Sequence, residues 1–303
     1  MYARDVVVQT NANVFPLPNP LFESTPPLPD RFEIGEGLWI GKIENEAAKT
    51  IFDLNEPFYH GTPKPVIQFA QLYSYVREMK GPTNPYEWDK DGRLQTCVAI
   101  SRLLIPTSAS FRYAGRIRYN TDHSIADISP ANIRGVAVDT FLSAPPKRDW
   151  LTEEEGVRLK GLTTKVDSRP LPPRTTRALW YHEYATRTYY VELRWIYVAT
   201  GLEALVHIDR EYSGLQFRER VSQIAKELGV AKFGPAEAKQ AYHLRSQLAH
   251  GQQLGGFTGP DRELYDSMET VLRCALLRSI EDDEFANTLE DDQRIKKRWP
   301  VCI

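Results

Sequence analysis

Proline is distributed unevenly along this chain, and that distribution limits how the chain can fold. Six of the 21 prolines fall within residues 1–30, and three more, at 170, 172 and 173, fall within residues 166–176. Proline fixes φ and has no backbone N–H, so it interrupts helices and inner strands. The distribution predicts four segments: a Pro-rich extended arm at 1–30, a domain at 31–165, a linker at 166–176 and a second domain at 177–303.

The composition fits two folded domains and excludes several classes of protein. The chain has 303 residues, of which 42% are hydrophobic and 26% are charged, so each half is long enough to bury a core. Cys97, Cys274 and Cys302 are far apart, which predicts neither a disulfide framework nor a metal knuckle. The formal net charge of -2 disfavours binding of nucleic acid through bulk positive charge, but it allows a local basic site.

The sequence predicts a cytoplasmic protein without a membrane partner. Its first residues, MYARDVVVQT, lack the basic-then-apolar pattern of a signal peptide. The most apolar stretch, 195–208, contains Glu203 and is too short to span a bilayer. The three separate cysteines are typical of a reducing compartment.

The first domain is expected to be mixed α+β. Apolar residues recur at helical spacing in 66–79, which predicts a helix there. Residues 111–119 alternate between apolar side chains and arginines, as expected of a half-buried strand, and 133–142 predict another strand.

Two phosphate-binding motifs and one zinc-binding motif are matched only in part. In GEGLWIGKI, residues 35–43, a dinucleotide loop would need glycine in place of Ile40, and a Walker loop would need other residues at Glu36 and Ile43. A turn between two strands is the better interpretation. His182 and Glu183 begin an HExxH motif that lacks its second histidine, so neither a metal nor a cofactor is expected.

The second domain is predicted to contain only helices. A long helix over 176–208 carries an apolar stripe, and further helices are expected over 215–228, 235–250 and 260–280. Short connections between them predict an antiparallel four-helix bundle. The basic tail at 294–298 is interpreted as a solvated end.

Three arginine–histidine pairs are separated by four residues: Arg118 with His123, Arg177 with His182, and Arg245 with His250. Only the third pair lies at the C-terminal end of a predicted bundle helix, where the helix dipole favours a cation. Gly251 follows and can take the left-handed conformation that ends a helix. A purely structural role fits too, with His250 as a C-cap and Arg245 in a surface ion pair.

The segments RWIYVATGLEALV (194–206) and HLRSQLAHG (243–251) resemble HEPN domains, the higher-eukaryote and prokaryote nucleotide-binding superfamily, and most of all its Apea-like subgroup. The family motif matches Arg245, Ser246 and His250, and the resemblance covers roughly residues 176–290. It implies a HEPN-like four-helix bundle that acts as a metal-independent endoribonuclease, often a toxin or antiviral-defence effector. It also implies a homodimer whose protomers share one cleft.

The chemistry of RNA suits these residue types. RNA carries its own nucleophile, the 2′-hydroxyl, so an enzyme needs only to move protons and stabilise charge. His250 would transfer protons, and the planar guanidinium of Arg245 would bind the phosphate. The products would carry 2′,3′-cyclic phosphate and 5′-hydroxyl ends. Residues at i and i+5 point about 140° apart on a helix, so a frayed helix end or a second protomer must bring the two groups together.

Four further residues are candidates for a supporting role. Ser246 and Gln247 could bind substrate or orient Arg245, His243 could contact RNA, and Glu203 could pair with Arg245 or with another cation. In this interpretation the first domain regulates the nuclease through a partner or trigger. Two alternatives stay open: a bundle that binds RNA or a nucleotide without cutting it, and a dimerisation bundle that serves an enzyme in the first domain. That enzyme would use a polar pocket formed by Asp53, Tyr59, His60 and the strand at 112–118.

Overall fold

The chain divides into two units, Met1–Thr164 and Lys165–Ile303. The first contains a β-sheet and helices, and the described part of the second contains helices only, so the chain is α+β. The division falls within a helix, Glu153–Ser168, close to the predicted linker. The structure is a computed structural model, and it describes residues 4–10, 31–41, 44, 46–47, 49–50, 74–79, 93–104, 113–130, 152–188, 190–252 and 258–302.

A six-stranded sheet forms the centre of the first unit. Its strand order is β2-β3-β4-β1-β5-β6, and every neighbouring pair is antiparallel. The strands are β1 (Arg4–Thr10), β2 (Arg31–Gly35), β3 (Leu38–Gly41), β4 (Ser74–Met79), β5 (Tyr113–Tyr119) and β6 (Ile125–Pro130).

The two middle strands of the sheet lie where the sequence predicts other structures. Residues 74–79, expected to end a helix over 66–79, pair with β1 on one side and with β3 on the other. Hydrogen bonds along both edges satisfy the backbone of β4, and these distant partners outweigh the helical spacing of its apolar residues. Arg4–Thr10 lies in the predicted arm but forms β1, whose run of valines favours a strand. Residues 11–30, 66–73 and 133–142 lie outside the described part of the chain.

Two other predictions for the first unit are confirmed. The segment at 35–43 contains a turn between β2 and β3, with Gly37 at a φ of +65°. Residues 113–119 form a strand, in which Ile117 and Tyr119 are buried. Arg116, expected on the polar side, is also buried. The helix α1 (Arg93–Leu104) adds Leu94, Val98, Ile100 and Leu103 to the core.

Eight more helices follow in the described residues, and three of them closely match the predicted bounds. The helices at 215–228, 235–250 and 260–280 are confirmed as α5, α6 and α7. Their bounds, with those of the others, are α2 (Glu153–Ser168), α3 (Pro173–Arg187), α4 (Val191–Val206), α5 (Ser213–Glu227), α6 (Pro235–Ala249), α7 (Gly259–Glu281), α8 (Asp283–Glu290) and α9 (Asp292–Arg298).

The predicted long helix over 176–208 is wrong, because it is broken into α3 and α4. Thr188 and Tyr190 take extended backbone conformations between the two helices. The buried Arg194 donates from Nε to the carbonyl oxygen of Thr188 at 2.6 Å, which satisfies a carbonyl left free by the break. The helices then pack side by side, with the ring of Tyr197 5.9 Å from that of Tyr184.

The predicted apolar stripe forms the core of the helical unit. Trp195, Val198, Leu202 and Leu205 of α4 are fully buried, and Gly201 lets Leu272 of α7 approach closely. Helices α5 and α7 add further buried side chains: Phe217, Val221, Ile224, Met268, Val271 and Leu272. Among the described helices, none is both long enough and apolar enough to cross a membrane.

The basic tail is packed against the helical unit, but Arg294, Lys296 and Lys297 are exposed, so the prediction of a solvated end holds for three of its four basic residues. Ile295 and Trp299 are buried. Arg298 donates to Glu227 at 2.6 Å, and the indole nitrogen of Trp299 donates to the same carboxylate at 3.0 Å. The two buried apolar side chains outweigh the basic residues around them.

Candidate functional site

The candidate site is carried by α6, whose two ends are set by local sequence. Pro235 opens the helix, where its missing N–H costs no hydrogen bond. At the other end His250 is the C-cap, and Gly251 takes a φ of +75°. Gly251 donates to the carbonyl of Leu248 and Gln252 to that of Gln247, both at 3.0 Å. This Schellman motif confirms the predicted role of Gly251 and fixes where His250 lies.

Arg245 is held by a carboxylate from a different helix. Its Nη2 atom donates to Oε2 of Glu203 in α4 at 2.8 Å, and the two side chains are 27% and 17% exposed. Burial raises the pKa of Glu203, and this effect exceeds the lowering by the charge and hydrogen bond of Arg245. Loss of hydration therefore outweighs the attraction of Arg245 in setting the pKa of Glu203.

Tyr242 supports the guanidinium from the preceding turn of α6. The Cζ atom of Arg245 lies 6.0 Å from the centroid of the Tyr242 ring, at the outer range of a cation–π contact. The Tyr242 hydroxyl donates to Oγ of Ser213 at 2.8 Å, and its ring lies 5.3 Å from that of Phe217. A Cβ added to Gly214 would lie 3.1 Å from the Tyr242 ring, so a larger residue there would displace the ring by a few tenths of an ångström.

The remaining predicted residues do not join this pair within one chain. His250 is exposed at the helix end, and no hydrogen bond or ion pair connects it with Arg245 among the described residues. His243 is exposed, whereas Ser246 and Gln247 are half-buried. The structure thus brings Arg245 and Glu203 together and leaves the histidine apart, as the i to i+5 spacing leads one to expect.

The histidines of the other two arginine–histidine pairs lie in the helical core and in a hairpin turn. His182 is buried, and its Nε2 lies 2.8 Å from Oε1 of Glu269 in α7. Burial acts to raise the pKa of Glu269, but the hydrogen bond and charge of His182, together with Arg273, outweigh it and lower that pKa. His123 lies in the hairpin turn after β5, at a φ of +66°. Neither histidine lies in a helix-end arrangement like that of His250.

No known family model, curated protein or solved structure matches this chain. The interpretation of the site therefore rests on its own residues. No group of three or more histidine, cysteine, aspartate or glutamate side chains within the described ranges could hold a metal ion. Asp53, Tyr59, His60 and Arg112, invoked for an enzyme in the first domain, lie outside those ranges.

The residues that contact Tyr242 could not be identified from the sequence. Ser213 lies 29 positions from Tyr242, and a contact between residues so far apart leaves no periodic signal. Gly214 and Phe217 were likewise visible only as an ordinary helix start and a core residue. The tyrosine one turn before the motif arginine is the only local sign of this support.

Proposed function

We propose that this chain is a metal-independent endoribonuclease of the HEPN type, which cuts RNA by attack of the 2′-hydroxyl on the adjoining phosphate. The observation that supports this most is the Glu203–Arg245 pair, which holds a guanidinium beside the helix end that carries His250. Arg245 binds the phosphate and stabilises the charge that develops on it. His250 transfers protons between the reacting oxygens.

Glu203 positions Arg245 without consuming its binding capacity. A guanidinium has five N–H donors in a fixed plane, and the carboxylate accepts from one nitrogen, Nη2. The Tyr242 ring restricts the guanidinium further. Because Nε of Arg245 is buried, a phosphate would bind at the N–H groups of Nη1 and Nη2 that remain.

We also propose that two copies of the chain form the working enzyme. Arg245 and His250 point in different directions on one helix, so His250 of a second copy would complete the site in a homodimer formed by the helical unit. The first unit would then regulate cleavage through a partner or trigger. Such an enzyme would act in the cytoplasm as a toxin or an antiviral-defence effector.

The proposal is tested by incubating a mixed RNA pool with the full chain in EDTA. Wild-type protein is expected to release fragments with 2′,3′-cyclic phosphate ends. Arg245→Ala and His250→Ala are each expected to slow cleavage by about 100-fold or more, the usual contribution of charge stabilisation for Arg245 and of acid–base catalysis for His250. Arg177→Ala is the matched control, because Arg177 is an exposed arginine of another arginine–histidine pair. Equal cleavage by all four proteins would contradict the proposal.

A second candidate is an RNA- or nucleotide-binding module that does not cut. It is favoured by the separation of His250 from Arg245 among the described residues. This function predicts that Arg245→Glu abolishes RNA binding, whereas His250→Ala leaves binding unchanged and no protein releases fragments. The same RNA pool, followed by gel shift as well as by cleavage, separates the two candidates.

A further inference from the structure

The loop between α4 and α5, residues 207–212, is fixed firmly at the edge of the candidate site. The buried Arg220 donates from Nη1 to the carbonyl oxygen of Val206 at 3.2 Å, to that of His207, and to Oε1 of Gln216 at 3.0 Å. Gln216 also donates to the carbonyl oxygen of Glu211 at 2.6 Å and accepts from the backbone N–H of Asp209 at 3.1 Å. Three of these hydrogen bonds reach the loop, one reaches the end of α4 and one joins the two side chains, so the loop is held in one shape.

This fixed loop exposes an aromatic side chain. Tyr212 is 61% exposed, and its side chain has no hydrogen bond or ring contact with other described residues. Its backbone is left-handed, with a φ of +56° and a ψ of +31°. A residue with a Cβ pays a strain cost there that glycine would avoid. An exposed ring in a strained conformation is not explained by packing.

Arg210, two residues earlier, is exposed as well, and no ion pair joins it to another described residue. The loop thus exposes a cation and an aromatic ring two positions apart in the sequence. Together they match the two parts of a nucleotide, since a guanidinium binds phosphate and an aromatic ring stacks on a base.

The loop lies next to the residues proposed to bind the scissile phosphate. Tyr212 directly precedes Ser213, whose hydroxyl accepts from Tyr242 at 2.8 Å. The ring of Tyr242 in turn lies 6.0 Å from the guanidinium of Arg245. A chain of adjoining groups therefore leads from Tyr212 to Arg245.

We infer that Arg210 and Tyr212 form a subsite for an unpaired nucleotide next to the scissile phosphate. This inference rests on the proposed function. Tyr212 stacks on the base, while Arg210 binds the phosphate of that nucleotide. A base paired within a duplex has both faces stacked on its neighbours, so it cannot reach Tyr212.

The test measures binding by fluorescence anisotropy, with a labelled single-stranded RNA of about 12 nucleotides. His250→Ala protein is the parent, which prevents cleavage during the titration. Adding Tyr212→Ala is expected to weaken binding by about 5- to 150-fold, the range for loss of one base–aromatic stack. Tyr212→Phe retains the ring and is expected to restore affinity. Tyr190→Ala is the matched control, because Tyr190 is 63% exposed and also precedes a helix.

Two further readouts separate a binding role from a structural one. Tyr212→Gly is expected to weaken RNA binding as much as Tyr212→Ala does, yet to raise the thermal midpoint by about 2–4 °C because it removes the left-handed strain. Arg210→Ala is expected to reduce the slope of log affinity against log salt by about 0.7, the value for one phosphate contact on a single strand.

The possible results distinguish failure of the subsite from failure of the proposed nuclease function. If Tyr212→Ala binds the single strand as tightly as its parent, or if duplex RNA binds as well as the single strand, the inference is overturned. Cleavage of RNA by the wild-type protein would still stand in that case. If the parent binds no RNA at all, the inference and the proposed function both fail.

Discussion

Replacing Glu203 with glutamine removes the charge of the Glu203–Arg245 pair and retains its hydrogen bond. Glutamine has nearly the same shape, and its carbonyl oxygen can accept from Nη2 of Arg245 as the carboxylate does at 2.8 Å. Burial raises the pKa of Glu203 in spite of Arg245, so the folded protein disfavours the ionised carboxylate. Glu203→Gln is therefore expected to leave the free energy of unfolding unchanged or to raise it slightly.

The size of the effect follows from the partial burial of the pair. With side chains 17% and 27% exposed, the pair lies between a surface ion pair and a fully buried one. We expect Glu203→Gln to change the free energy of unfolding by less than about 1 kcal/mol. Glu203→Ala leaves a desolvated guanidinium without its acceptor and is expected to cost about 1–3 kcal/mol. Loss of the negative charge beside Arg245 should also tighten RNA binding by about 2- to 5-fold, or about 0.5–1 kcal/mol.

The dependence on pH has a definite sign. The stability contributed by an acid with a raised folded-state pKa is complete below its unfolded pKa, 4.5 for Glu203, and is lost as the pH rises through the folded value. Wild type therefore loses stability relative to Glu203→Gln as the pH rises above 4.5 through the raised folded-state pKa of Glu203. Urea unfolding at pH 4.5 and at neutral pH measures the difference. A glutamine variant as unstable as the alanine variant, or a difference of the opposite sign, would refute the reasoning.

Three further predictions concern the stability of the fold. A Cβ added at Gly251 or at Gly229 would have no atom within 4 Å, so only the backbone φ, +75° and +74°, opposes a larger residue. Gly251→Ala and Gly229→Ala should therefore each lower the free energy of unfolding by about 1 kcal/mol. His182→Ala leaves the carboxylate of Glu269 without its hydrogen bond and should cost about 3 kcal/mol. Asp282→Ala removes the N-cap of α8 and should cost about 1 kcal/mol. Urea unfolding checks all three.

Each of these has a result that would count against it. Unequal costs at the two glycines would show that contacts, not backbone strain, set the value. A much smaller loss of unfolding free energy in His182→Ala would mean that Glu269 is solvated in the folded protein. Backbone hydrogen bonds lower the pKa of Asp282, so its contribution is present above the unfolded value of 3.8 and is lost as the pH falls through the folded value. An Asp282→Ala cost that persists in strong acid would contradict this.

Helices with their own start and stop residues could be predicted from sequence. Pro235 and Gly251 bound α6 by local chemistry, and apolar spacing identified α5 and α7. The strand at 74–79 could not be predicted, because its identity depends on β1 and β3, which lie far away in the sequence. The break at 188–190 depends on Arg194, a buried cation that reaches back to a free carbonyl.

The candidate site also contains residues that the local sequence indicates and contacts that it does not. The motif pair and Glu203 stand out locally, as a spacing and as one acid in an apolar stretch. The Tyr242–Ser213 contact and the His182–Glu269 pair join residues 29 and 87 positions apart, so only the packed helices show them. The strain at Tyr212 is equally invisible, because tyrosine is not a residue that marks left-handed backbone.

The claim that Arg245 and His250 cut RNA through its own 2′-hydroxyl is tested most directly with two substrates of one sequence. One oligonucleotide carries ribose throughout, and the other carries 2′-O-methyl groups, which remove the nucleophile. With EDTA present, wild-type protein is predicted to cut only the ribose substrate and to leave 2′,3′-cyclic phosphate ends, and His250→Ala is predicted to cut neither. Cleavage of the methylated substrate, or equal cleavage of the ribose substrate by His250→Ala, would contradict the account.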